Sequence, residues 1–69
     1  MVNKLSTRLT GYALYFLDYP GRIAHQAELN AESDDEAIRQ ATERADGRAM
    51  ELWRGAFMVR RFSASSNRR

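Results

Sequence analysis

The sequence predicts an α+β fold of order β-β-α-β-β, a four-stranded sheet with one helix packed on one face. Three observations carry that prediction. The apolar run Tyr12-Ala13-Leu14-Tyr15-Phe16-Leu17 leads into Asp18-Tyr19-Pro20-Gly21, a tetrapeptide of turn-forming residues. Ser33-Asp34-Asp35-Glu36 has the S-x-x-E form of a capping box and opens a stretch with alanines at helical spacing. Two further apolar runs, Ala49 to Trp53 and Ala56 to Phe62, flank the dipeptide Arg54-Gly55.

The first hairpin turns where proline presets φ and Gly21 accepts positive φ. With a loop of two or four residues, Tyr12, Leu14 and Phe16 share a face with Ile23, His25 and Ala27, and an odd-numbered loop or a bulge breaks that parity. The helix begins at Asp34, with Ser33 accepting from the N3 amide and Glu36 reaching back to the Ser33 amide. Ala37, Ile38, Ala41 and Ala45 form its inward stripe, and Asp35 and Arg39 stand at i,i+4. Gly47 supplies a left-handed C′ residue, for a helix of about three and a half turns. In the second hairpin, if 53 faces 56, Leu52 opposes Phe57 and Met50 opposes Val59 on the helix side. Trp53, Glu51, Met58, Arg60 and Phe62 then point the other way. Two sheet orders stay open: all antiparallel with strand one beside strand three, or strands two and three parallel through a right-handed crossover.

At 69 residues the chain has room for one domain, expected over 11–62. Residues 1–10 read as a mobile arm, and 63–69 as a disordered, small, polar and basic tail. The absence of cysteine excludes a disulfide framework, a thiolate nucleophile and a zinc–thiolate cluster, and makes a reducing cytoplasm the expected setting. The longest apolar run is far shorter than the about 20 residues a membrane helix needs. Met1 to Gly11 lacks the apolar stretch of a secretory signal. Neither a membrane span nor a leader is expected. Charge is segregated: residues 1–27 sum to +2, 28–46 to −5 and 47–69 to +5.

Residues suited to catalysis are few. His25 is the only histidine, and its parity places it on the apolar face. No serine or threonine stands in a nucleophile-elbow pattern, and no second ligand is spaced with His25 for a metal. Asp34, Asp35 and Glu36 are accounted for by the positive end of the helix dipole, and Gly47 and Gly55 are isolated turn glycines. The chain is therefore expected to be no enzyme and to hold neither cofactor nor metal.

One helix covers one side of a sheet. The other side carries Ala13, Tyr15, Leu17, Trp53, Met58 and Phe62, a larger apolar and aromatic set than a solvated face usually shows. A small protein-interaction domain that homodimerises through this face is the primary expectation, with another protein as partner, the N-terminal arm or arginine stems as the other possible covers. The alternative is weak, electrostatic nucleic-acid binding through Arg48, Arg54, Arg60 and Arg61 on the second hairpin, assisted by Arg68 and Arg69. Against it, the helix is acidic and no helix-turn-helix, zinc-finger or RNP-type pattern is present.

Tyr15-Phe16-Leu17-Asp18, Gly21-Arg22-Ile23, Ser33 to Ile38 and Asp46 to Gly55 give the patterns YFLD, G-x-I, SDxEAI and DGRAxELWxG. On these, residues 12 to 60 resemble a set of small uncharacterised bacterial proteins. The resemblance implies a compact β-β-α-β-β unit of unknown function, with no catalytic residues to transfer. Arg54 stands where such proteins often carry Asp, Asn or Gln before the glycine.

Overall fold

The computed structural model describes residues 9–18 and 21–64, so most of the expected N-terminal arm and basic tail lies outside the described residues. Its elements run β1 (Thr10–Asp18), β2 (Arg22–Ala31), α1 (Asp34–Glu43), β3 (Ala49–Arg54) and β4 (Phe57–Phe62). The sheet has the order β2-β1-β3-β4 with every pair antiparallel, which resolves the open choice in favour of β1 beside β3.

β1 is central, and its residues alternate between buried Tyr12, Leu14 and Phe16 and half-buried Ala13, Tyr15 and Leu17. Against β2, Tyr12 pairs with Leu29, Leu14 with Ala27 and Phe16 with His25, as the parity requires. Asp18 pairs with Arg22 across an odd, three-residue loop, and a bulge at Ala24 restores the expected pairing further along. Ile23 lies between loop and bulge, and it pairs with Leu17 on the opposite face, where it is 61% exposed. The expectation that Ile23 shares the Tyr12 face is thus corrected by two irregularities that cancel for every residue beyond Ala24. His25 keeps its predicted face but sits past the end of the helix cover, exposed, with its ring 5.4 Å from that of Phe16.

The second hairpin turns one residue later than expected. Arg54 pairs with Phe57, so the loop is Gly55-Ala56, and only Gly55 takes positive φ (60°), the pattern of a type II′ turn. Trp53 pairs with Met58, Val59 is an extra residue, and Leu52, Glu51 and Met50 then pair with Arg60, Arg61 and Phe62. Leu52 and Met50 look toward the helix, so Arg60 and Phe62 do too, reversing both assignments, and Arg61 takes the outer face instead.

The helix starts at Asp34 as expected, with the Glu36 amide donating to Ser33 Oγ at 3.1 Å, while the Glu36 carboxylate accepts from Arg39. It ends a turn early, at Glu43. Thr42 Oγ1 donates back to the Ile38 carbonyl, the Arg44 and Ala45 amides close three-residue turns onto Ala41 and Thr42, and Asp46 Oδ1 accepts from the Arg48 amide. These local bonds compete with helical ones, so Ala45 is exposed outside the helix and Gly47 (φ 99°) serves the loop. Arg39 pairs with Glu36 and Glu43, on either side of it, and not with Asp35. Ala37 and Ala41 face the sheet, fully buried, which brings helix backbone close to Leu14, Leu29, Ala31, Met50 and Leu52. Ser33→Ala removes the cap and is expected to lower the urea midpoint by the equivalent of about 1 kcal/mol, with an unchanged denaturant slope.

Candidate functional site

The central strand presents Gly11, Ala13, Tyr15 and Leu17 on the face the helix leaves uncovered. Pairing across the sheet extends them into rows. Glu28, Ala13, Trp53 and Met58 form one row; Gln26, Tyr15, Glu51 and Arg61 form the next; Ile23, Leu17 and Ala49 form the third. Ala13, Tyr15, Leu17, Trp53 and Met58 therefore come together as expected, and Phe62 does not: it packs against the core on the helix side. Ile23 and Ala49 join the face through the hairpin-one bulge and the β1–β3 register. Met58 is 37% exposed, while the indole of Trp53 lies partly over its neighbours with Nε1 donating to Glu51 Oε1 at 3.0 Å. Only Oε1 is engaged in that bond, and a carboxylate has a second oxygen able to accept. At the hairpin-one end, a cavity of about 390 Å³ opens beside Leu17, Ala49 and Ala64, bordered by Asp18, Arg48 and Arg61.

The four arginines of the nucleic-acid alternative are dispersed. Arg48 holds Asp46 at 2.7 Å and lies over the Phe16 ring at 5.1 Å. Each partner shifts the other: hydrogen bonding to Arg48 holds the Asp46 carboxyl below its ordinary range, and the same contact raises Arg48. Arg54 is bound by both oxygens of Asp34 at 2.8 and 2.9 Å on the helix side, and covers the Phe57 ring at 4.9 Å. Arg60 also points to the helix side, over Phe62 at 6.0 Å, whereas Arg61 stands on the outer face opposite Glu51. Two of the four are neutralised by carboxylates, and the other two lie on opposite faces.

One polar cluster has no signature in the sequence. Tyr12 Oη donates to Asp34 Oδ1 at 2.7 Å, beside the Arg54 bridge, so three elements meet at the helix N-terminus. Burial and the hydrogen bond to the Asp34 carboxylate push the Tyr12 phenol above its ordinary value, with Arg54 opposing. Its partners are 20 and 22 residues apart, beyond the reach of a local pattern. The Asp34 carboxylate accepts from both Tyr12 and Arg54, which suits a clamp between helix and sheet. No group of three or more His, Cys, Asp or Glu is placed to hold a metal among the described residues. No helix among them is long and apolar enough to cross a membrane. Compared with models of protein families, curated proteins and solved structures, the chain finds no match.

Proposed function

We propose that the protein is a small, non-enzymatic interaction domain that homodimerises through the helix-free face of its sheet. The observation that carries this reading is the convergence of Ala13, Tyr15, Leu17, Trp53 and Met58, with Ile23 beside them, on a surface that no described segment covers. Aromatic and methionine side chains of this kind are enriched at the cores of protein interfaces. The face also has few charges, Glu28 and Glu51 against Arg61. A surface of slight negative balance suits a protein partner better than a phosphate backbone, and the dispersal of Arg48, Arg54, Arg60 and Arg61 points the same way.

Light scattering on the purified chain tests the reading, with twice the chain mass expected. Tyr15→Lys and Trp53→Lys, each placing a charge in the apolar patch, are expected to give the single-chain mass while circular dichroism retains the sheet signal. A wild-type protein of single-chain mass at high concentration overturns the proposal. Salt-dependent binding of single-stranded oligonucleotides by that monomer would favour the nucleic-acid alternative.

A further inference from the structure

We propose that the second copy docks with the molecular two-fold axis parallel to the strands, so that β1 of each chain lies over β3 of its twin and β4 over β2. This rests on the dimer reading above and adds the arrangement that the residues on the face select. Two sheets stacked face to face about 10 Å apart need a two-fold axis lying between them, and aligned packing leaves two limiting directions: along the strands or across them.

An axis across the strands superposes β1 on β1 and β3 on β3. With that axis through the middle of the three rows, where the two faces overlap most, Glu51 would face its own copy, and Arg61 would face Arg61. Like charges in a desolvated interface are repelled by several-fold more than in water.

An axis along the strands exchanges left and right within each row. Trp53 then covers the partner's Ala13, and Leu17 covers the partner's Ala49, each bulky side chain meeting a small one in both directions. Such alternation fills the space between two sheets without voids or collisions. Tyr15 meets the partner's Glu51, whose Oε1 already accepts from Trp53, leaving Oε2 to accept from the phenol. Arg61 lies over the partner's Gln26, with the partner's Glu28 next along the strand on the same face, within an arginine's reach. The one cation of the face among the described residues thus meets the acid that its own sheet leaves three strands away.

Within one chain Arg61 and Glu28 sit on opposite edge strands, about 14 Å apart at the usual strand spacing, so they do not pair internally. This allows a test by complementation. Arg61→Glu and Glu28→Arg are each expected to weaken self-association, on the order of tenfold or more, because each homodimer repeats a like-charge contact twice. An equimolar mixture is expected to restore a dimer of wild-type tightness, since every contact in the mixed dimer is either native or charge-reversed as a pair. Arg61→Glu also sets an acid opposite Glu51 within its own sheet, but mixing cannot relieve that, so rescue reports only the contact between chains. Both positions are exposed, and circular dichroism verifies that each variant folds. Failure of the mixture to recover tightness, or variants that self-associate as well as the wild type, overturns this axis. If Trp53→Lys still yields a monomer in that case, the face reading survives without it. A monomeric wild type removes both.

Discussion

Leu52→Ala is expected to destabilise the domain by about 2–5 kcal/mol, toward the upper end of that range. Leu52 and its cross-strand neighbour Leu14 are both completely buried, and they lie under Ala37 and Ala41 of the helix. Where a helix contributes longer side chains, a neighbour can swing into the space left by a truncated leucine. Here the fully buried part of the roof is the methyls of Ala37 and Ala41, which have no rotamers to adjust, and β-branched Ile38 at its margin is stiff, so the cavity stays largely open unless the helix itself moves. A domain of this length typically has about 3–10 kcal/mol in total, so the change removes much of what there is. Urea unfolding followed by circular dichroism, at one fixed protein concentration because association adds apparent stability, measures it. Val59→Ala, in a half-buried bulge residue at the sheet edge, is the comparison and is expected to cost less. A loss for Leu52→Ala below about 1 kcal/mol would mean that the helix settles onto the sheet freely and that the alanine contact is not rigid.

The same contrast between local and distant determinants explains which parts of the structure were legible in the sequence. The helix start is readable because the Ser33 hydroxyl satisfies the Glu36 amide within a single turn. The helix end is not, because the Asp46 side chain competes for the chain before Gly47 is reached. For the candidate face, Ala13, Tyr15 and Leu17 belong to the central strand, whose own alternation is independent of either turn. Trp53 and Met58 precede the bulge at Val59, so parity places them on the outer face whether the loop is Arg54-Gly55 or Gly55-Ala56. Phe62 follows the bulge, so simple alternation from the turn puts it on the face opposite to the one it occupies. Nothing in Phe57 to Phe62 marks Val59 as the extra residue. A distant contact helps choose the turn: with Gly55-Ala56 as the loop, Arg54 stays on β3 and reaches Asp34, 20 residues away in sequence. Ile23 shows the same limit in hairpin one, where an odd loop is offset by a bulge one residue further on.

That distant contact should be visible in the titration of Tyr12. Its phenol is buried, donates to Asp34, and titrates above its ordinary value, first because burial disfavours the phenolate and then because of the adjacent carboxylate. Arg54 works in the opposite sense. Asp34→Asn is therefore expected to lower the Tyr12 pKa, and Arg54→Gln to raise it further. The ultraviolet absorbance of the phenolate against pH, with Tyr12→Phe subtracted to remove the chain's other two tyrosines, reads both shifts. Stability follows by linkage. The unfolded phenol ionises near about 10, the folded one higher, so the unfolded state releases its proton first. The contribution of Tyr12 is fully present at neutral pH, and it is lost as pH rises from about 10 through the folded pKa. In Asp34→Asn that alkaline loss is expected to be smaller. Asp34→Ala, which leaves the buried Tyr12 hydroxyl without its acceptor and Arg54 without its carboxylate, should cost about 1–3 kcal/mol at neutral pH. The ion-pair share of this is small because both side chains of the bridge remain 38% exposed, so most of the loss belongs to the phenol. Tyr12→Phe, which deletes donor and requirement together, should then be much less damaging than Asp34→Ala. If the two variants cost the same, the Tyr12–Asp34 hydrogen bond carries the whole of the clamp and the Arg54 bridge adds nothing measurable.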